Sequence, residues 1–99
     1  MPIGRTREYP RLDLHGAYVP GTSLRRAILH DANLAGTNAS FVDFRDADFL
    51  DANLNGTVLL GANLAGAKNL TLEQLSEAII DDATILPDYI DRAALASAR

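Results

Sequence analysis

The stretch that decides the fold is ADFLD ANLNG TVLLG ANLAG, residues 47–66, and it repeats every five residues. Each group opens with a small residue and carries a large apolar residue two places later. The small residues are Ala47, Ala52, Thr57 and Ala62, and the large ones are Phe49, Leu54, Leu59 and Leu64. Tandem repetition at a fixed period indicates a repeat architecture, in which neighbouring units bury one another.

A period of five fits neither of the common secondary structures. On an α-helix, five residues advance by about 500°, so successive apolar residues would move around the cylinder instead of forming a stripe. On one continuous strand, an odd period would send them to opposite faces. The chain must therefore turn once per repeat. The spacing of two within a repeat places the small and the large residue on the same side of a short extended segment.

Several of these groups resemble the A-(D/N)-(L/F)-X-X signature of the pentapeptide-repeat family. The matching phrases are Ala32-Asn33-Leu34, Ala47-Asp48-Phe49, Ala52-Asn53-Leu54 and Ala62-Asn63-Leu64, and the resemblance spans about residues 12–71. It implies a right-handed quadrilateral parallel β-helix with one repeat per side and twenty residues per coil. The small and the large residue of each repeat then point inward. We expect an all-β solenoid of about three coils.

In this frame, the repeat centres run from Leu14 to Asn69, and eleven of the twelve are apolar. The predicted β-helix core consists of Leu14, Leu24, Leu29, Leu34, Phe44, Phe49, Leu54, Leu59 and Leu64. Residues twenty apart should stack in columns. Gly16, Gly36 and Gly56 then align at one corner, where glycine tolerates a left-handed turn. In the middle coil Ala39 faces Phe49, which we interpret as an undersized side chain that compensates for an oversized one.

The sequence predicts three segments. Residues 1–11 should begin the wall and cover its open end, residues 12–71 form the β-helix, and residues 72–99 form a helical cap at the lower end. The repeat fails at Lys68-Asn69, and Thr71 with Gln74 forms a capping box that opens a helix. A second short helix is expected over residues 88–96. Its predicted apolar face consists of Tyr89, Ile90, Ala93 and Ala94.

Composition bounds the class of protein. With 99 residues, 47% apolar and 22% charged, the chain is one folded domain and not a disordered tail. The absence of cysteine excludes a disulfide framework and thiolate chemistry. The net charge of −4, without a basic cluster, argues against direct binding of nucleic acid. No apolar run approaches the ~20 residues of a membrane span, so we expect no membrane association and a cytoplasmic location.

Few polar residues have the spacing that a metal site or a catalytic site requires. His15 and His30 fall in repeats that are not neighbours, so a shared metal site is not expected. The acidic cluster consists of Asp43, Asp46, Asp48 and Asp51, and two of its members occupy the signature position of the repeat. The serines lack a nearby histidine and acid. We therefore expect no catalytic, cofactor or metal residues and no enzymatic activity.

The outward residues of the second side depart from the repeat pattern. The candidate interface there consists of Tyr18, Phe41, Val58 and Leu60, with Phe41 stacked between two glycines. A dimer contact, a resting place for the tail and no role at all remain open for this side. The fourth side also offers the outward apolar residues Ile28, Leu50 and Leu70.

Two functions remain. The first is a structural or interaction module whose rigid surface contacts a protein partner or a second copy of the chain, as in a homodimer. The second follows from the resemblance, because some family members mimic DNA and bind DNA gyrase, either protecting it from quinolones or inhibiting it. Two features argue against the DNA mimic. Three coils form only a short rod, and the stacked Arg25 and Arg45 put positive charge on an outer surface that a mimic would need to be negative.

Overall fold

The computed structural model describes residues 11–98. The cap predicted for residues 1–11 therefore lies outside the described residues, apart from Arg11. The described chain contains two helices, α1 at Leu72–Ser76 and α2 at Arg92–Ala98, after a long region of isolated parallel β-bridges. Since the chain turns every five residues, each extended segment contributes only one bridging residue to each neighbour.

Eight of the ten bridges among the described residues pair residues that are twenty positions apart, and these eight define four walls of three coils each. The first wall pairs Asp13 with Asn33 and Asn53; the second pairs Tyr18 with Asn38 and Val58; the third pairs Ser23 with Asp43 and Asn63; the fourth pairs Ile28 with Asp48 and Lys68. All these pairs are parallel. We call the coil at residues 12–31 the first coil and its side of the molecule the upper end.

Backbone hydrogen bonds join the coils in a repeating pattern. On the first wall, Leu34 N donates to Asn53 O (2.9 Å) and Asn53 N donates to Ala32 O (2.8 Å). At the following corner, Gly36 N donates to Asn55 O (2.9 Å). Equivalent bonds, such as Leu14 N to Asn33 O (2.8 Å), join the second coil to the first, so the second coil is bound both above and below.

The corners between walls all use a left-handed backbone. Six are glycines with φ between 67° and 73°, including the predicted column Gly16, Gly36 and Gly56. The other five carry side chains at φ of 59° to 61°: Arg26, Asp31, Phe41, Asp46 and Asp51. Aspartate tolerates this conformation, whereas a large aromatic residue there is strained. The five non-glycine corners were not predicted from the sequence.

The Asp or Asn of the repeat signature stabilises the corner that follows it. Its side-chain oxygen accepts a hydrogen bond from the backbone N–H two residues later. His15 N donates to Asp13 Oδ1 (3.0 Å), and Asn55 N donates to Asn53 Oδ1 (3.0 Å). This is the local hydrogen bond for which short polar side chains are suited. The same contact recurs on the other walls.

The core fills the interior from the end of the first coil downward. Seven of the nine predicted core residues are buried to 1% exposure or less: Leu29, Leu34, Phe44, Phe49, Leu54, Leu59 and Leu64. Leu14 and Leu24 are only half-buried, because they belong to the first coil and have no described coil above them. The rings of Phe44 and Phe49 pack with centroids 5.2 Å apart, and Ala39 is buried in the same cluster.

Helix α1 begins as predicted. Gln74 N donates to Thr71 Oγ1 (3.0 Å) while Thr71 N donates to Gln74 Oε1 (2.8 Å), which confirms the capping box. Apolar residues recur at helical spacing as far as Ile79 (Leu72, Leu75, Ala78 and Ile79), but the helix already ends at Ser76. The chain then becomes extended, and Ile79 pairs with Val58. The tail thereby starts an incomplete fourth coil.

The rest of the tail closes the lower end. Ile85 pairs with Asn63 and extends the third wall. Helix α2 begins at Arg92 and buries Leu95, which the sequence did not single out. Of the predicted apolar face, Ile90 and Ala94 are half-buried and Tyr89 and Ala93 are exposed.

One outward residue was placed wrongly. Leu70 was expected on the surface of the fourth wall, yet its exposure is only 4%. Asn69 has φ of 62° and turns the chain out of the repeat register, so Leu70 packs inward. No helix in the described part of the chain is long and apolar enough to cross a membrane.

Candidate interaction surface

The second wall has an outer surface without charged side chains in its three regular coils. Its outward and corner positions are Tyr18, Pro20, Gly21, Asn38, Ser40, Phe41, Val58, Leu60 and Gly61. The neighbouring third wall carries five charged residues at the equivalent positions: Arg25, Arg26, Asp43, Arg45 and Asp46. Walls of the same backbone geometry therefore differ sharply in their surface chemistry.

The predicted interface residues on this wall differ in exposure. Tyr18 is 76% exposed and Phe41 is 67% exposed. Val58 and Leu60 are half-buried. Val58 is flanked on both sides, because Asn38 bridges it from above and Ile79 bridges it from below. The tail thus lengthens the apolar column with Ile79, which is 45% exposed.

The polar side chains of the second wall bind each other, whereas Gly61 N at its lower corner donates to Asp81 Oδ1 in the tail (3.1 Å). Ser40 Oγ donates to Asn38 Oδ1 (2.7 Å), and Ser40 N donates to the same oxygen (3.1 Å). Ser40 is buried to 9% exposure. The amide oxygen of Asn38 is therefore occupied within the wall, and the exposed area consists mainly of apolar side chains and glycine backbone.

Phe41 combines backbone strain with exposure. Its φ is 60°, in the left-handed region that bulky residues avoid. The ring lies over Gly61, so closely that a Cβ at Gly61 would overlap it. Strained conformations persist where the surrounding structure enforces them, and they concentrate at binding and switch sites. Phe41 is the feature of this surface that the repeat architecture does not require.

The basic column of the third wall is partly neutralised. Arg45 Nε donates to Asp43 Oδ1 (3.0 Å) and Arg45 Nη2 donates to Asp43 Oδ2 (2.8 Å), in a two-point ion pair. These hydrogen bonds, with a smaller contribution from Arg25, lower the pKa of Asp43 to about 2. Arg25 and Arg45 consequently do not form the continuous basic patch that a phosphate backbone requires.

A polar network crosses the three coils of the fourth wall. His30 Nε2 lies 2.7 Å from Asp48 Oδ2, and Asn69 Nδ2 donates to Asp48 Oδ1 (2.8 Å). Burial raises the pKa of Asp48, but the hydrogen bonds from His30, Asn69 and Leu50 N outweigh it and the pKa is lowered. The sequence analysis gave His30 no partner. The pairing with Asp48 could have been inferred from the twenty-residue period of the coils, which places residue 48 diagonally below residue 30.

The described residues contain no group of three or more His, Cys, Asp or Glu side chains that would hold a metal ion. A shallow cleft of about 270 Å³ lies between Leu50-Asp51-Ala52 and the start of α1. Gln74 on its edge is occupied structurally, because its Nε2 donates to Phe49 O and Ala52 O, each at 3.0 Å. The cleft thus lies where α1 is attached to the coil.

Comparison with known proteins places this geometry in a family. The family described as "Pentapeptide repeats" matches in eight copies, over residues 11–46 and 38–68, which together make up more than half of the chain. The chain belongs to the pentapeptide-repeat family. Members of this family adopt a right-handed quadrilateral β-helix and are generally non-enzymatic structural modules. The resemblance inferred from the repeat signature is therefore confirmed.

Two solved structures illustrate the likeness. The pentapeptide repeat protein Rfr23 from the cyanobacterium Cyanothece 51142 is 22% identical, with 87% of this chain and 71% of that chain covered and a TM-score of 0.40. The pentapeptide repeat protein alr5209 from Nostoc Pcc 7120 is 21% identical, with 86% and 82% covered and a TM-score of 0.33. Among curated proteins, none matches the chain significantly.

Proposed function

We propose that this protein is a non-enzymatic interaction module whose second wall contacts a protein partner, either another protein or a second copy of the chain. The observation that carries the proposal is the uncharged surface around Tyr18 and Phe41, with its strained and exposed aromatic ring. Aromatic residues are enriched at the centres of protein interfaces, and charged residues are depleted there. A rigid wall also loses little conformational freedom on binding.

The size of the wall limits the strength of the contact. Four rows at ~4.8 Å and five residues of at most ~3.3 Å give an area of about 300 Å² per partner. A stable interface typically buries about 800 Å² per partner. The second wall by itself therefore supports a weak contact, or the centre of a contact that extends onto neighbouring walls.

A pair of surface variants tests the proposal. In Tyr18→Asp/Phe41→Asp, two charges enter the uncharged surface at exposed positions. Ile28→Asp is the control, because Ile28 is 56% exposed but lies on the fourth wall. We expect sedimentation velocity at concentrations up to about 1 mM to show weak self-association of the parent, or binding of an identified partner, that the double variant weakens at least tenfold, about 1.4 kcal/mol. Equal effects of the double variant and the control would refute the role of this wall.

The alternative, a DNA mimic that binds DNA gyrase, is supported less well by the surface. A mimic needs a continuous negative face, whereas the third wall pairs Arg45 with Asp43 and the second wall has no charge in its regular coils. The three coils span only about 14 Å. A gyrase supercoiling assay tests it directly: inhibition or quinolone protection at tens of micromolar protein would favour the mimic over the interaction module.

A further inference from the structure

The two ends of the solenoid differ in how far they are closed. At the upper end, Leu29 is buried, but most of the other inward residues of the first coil are only half-buried, among them Leu12, Leu14, Val19, Leu24 and Ala27. Their counterparts in the second and third coils are buried to 5% exposure or less. The upper end therefore presents apolar surface that the described residues do not cover.

On the upper side of the first coil, two backbone N–H groups have no partner within residues 11–98. In the second coil, Asn38 N donates upward to Ala17 O (2.8 Å) and Asp43 N donates upward to Thr22 O (3.0 Å). The equivalent N–H groups of Tyr18 and Ser23 have no acceptor within residues 11–98. Such a row of free N–H and C=O groups is an edge that readily receives another chain.

The lower end is closed by the tail. Leu75, Ala78 and Leu95 are buried beneath the third coil. The guanidinium of Arg92 donates to the carbonyl oxygens of Asp81 and Thr84, which lie on the incomplete fourth coil. This end is thus covered and acidic: residues 72–95 carry six acidic residues and one arginine, a net charge of −5.

The charges of the two ends are complementary, and several of them are unpaired among the described residues. Residues 11–31 carry three arginines and two acidic residues, a net charge of +1. Among the described residues, three arginines at the upper end make no side-chain hydrogen bond or ion pair: Arg11, which directly precedes the first coil, Arg25 and Arg26. The same holds for four exposed acids of the tail: Glu73, Glu77, Asp82 and Asp88.

We propose that the open first coil of one copy docks onto the acidic lower end of a second copy, so that the chains stack head to tail. Charge decides this orientation, because a contact between two upper ends would bring like charges together. Head-to-tail contacts are heterologous and do not close, so association should continue beyond the dimer. The proposal concerns the ends and does not rest on the second-wall interface.

The full chain tests the proposal directly. Sedimentation velocity over a concentration series is compared at about 0.02 M and about 0.5 M salt, where the Debye length is roughly 20 Å and 4 Å. We expect the mean mass to rise past the dimer at low salt, and the association constant to fall about tenfold or more at high salt. A contact through the apolar second wall would persist at high salt, which distinguishes the two surfaces.

Two charge-swapped variants define the orientation. Arg11→Glu/Arg26→Glu changes the upper end from +1 to −3, so that both ends are acidic. Glu73→Lys/Glu77→Lys/Asp82→Lys/Asp88→Lys changes the lower end from −5 to +3, so that both ends are basic. We expect each variant alone to remain monomeric at low salt, while an equimolar mixture associates, because one native pair of ends is restored. The matched controls Lys68→Glu and Asp51→Lys change charge on the body of the solenoid and should associate like the parent. Circular dichroism confirms that each variant is folded.

Three outcomes would overturn the proposal. The first is a parent protein that stays monomeric at low salt, which would show that the upper end does not receive a second copy. Association stops at a dimer, which indicates a symmetric contact. Both charge-swapped variants associate separately as strongly as the parent, which shows that the complementary ends are not in contact.

Discussion

The buried hydroxyl of Thr57 provides a sharp test of how the coils are held together. Thr57 has 0% exposure, and its Oγ1 donates to Leu34 O in the coil above at 2.6 Å. Thr37 makes the same contact with Leu14 O. Replacing Thr57 with valine keeps the shape of the side chain and removes only the hydroxyl. The substitution therefore measures one hydrogen bond between coils.

The expected loss of stability in Thr57→Val depends on which hydrogen bonds remain after the substitution. Leu34 O keeps the bond from Thr37 N (3.0 Å), so no carbonyl oxygen is left without a partner. The loss is then that of one net hydrogen bond, about 1 kcal/mol within a range of about 0.5–1.5 kcal/mol. For a domain of this size, that corresponds to a fall of about 4–8 °C in the midpoint of thermal unfolding.

The first coil supplies a matched control. Thr22 is exposed, and its Oγ1 donates to Val19 O (2.7 Å) in its own coil. Because water can replace that bond, Thr22→Val should change the free energy of unfolding by less than about 0.5 kcal/mol. Urea unfolding followed by circular dichroism should show a lower midpoint for Thr57→Val alone, by about 0.3–1 M. Equal midpoints for the two variants, or a Thr57→Val protein as stable as the parent, would refute the inter-coil role of this hydroxyl.

Three further predictions follow from the corners, the core and the charges. Gly61→Ala should destabilise the protein by about 1–2 kcal/mol more than Gly21→Ala, because only Gly61 lies beneath the Phe41 ring; the difference should vanish in a Phe41→Gly background. Ala39→Leu should overpack the middle coil and cost about 1–3 kcal/mol in urea unfolding, whereas equal stability would remove the interpretation of Ala39 as volume compensation. The lowered pKa of Asp43, about 2, means that its ion pair stabilises the fold above about pH 4 and is lost as the pH falls toward 2; Asp43→Asn should flatten the acid limb of the stability profile.

The walls, the columns and the start of α1 could be predicted because each depends on local sequence. A small and a large residue two apart define an inward face, and the period of five imposes a corner after it. The glycine corners followed from backbone freedom. The capping box needs only Thr71 and Gln74 at the right spacing. The walls could be numbered from the sequence because their frame never slips between Leu14 and Leu64.

The end of α1 could not be predicted from the helical spacing of apolar residues, because hydrogen bonds to the third coil determine where the helix ends. The third coil leaves the N–H groups of Gly56 and Leu59 without a coil below, and each needs an acceptor. Glu77 O and Ile79 O supply these acceptors at 2.8 and 2.7 Å, and Ile79 N donates in turn to Thr57 O. A helix continued through Ile79 would use these groups internally. The lower edge of the solenoid thus decides where the helix stops.

The same edge also reshapes the candidate surface. Val58 was predicted as an outward residue of the last coil, but Ile79 pairs with it from below and leaves it half-buried. The exposed apolar residues of this wall are therefore Ile79, at 45% exposure, and Tyr18 and Phe41 above it. The register of the five-residue repeat determines which residues point outward, whereas the tail determines which of them remain accessible to solvent. Phe41 lies at a corner with its ring over Gly61, and it remains 67% exposed although Asp81 of the tail binds Gly61 N. Under the proposed function, Phe41 is therefore the residue that we expect to anchor a partner.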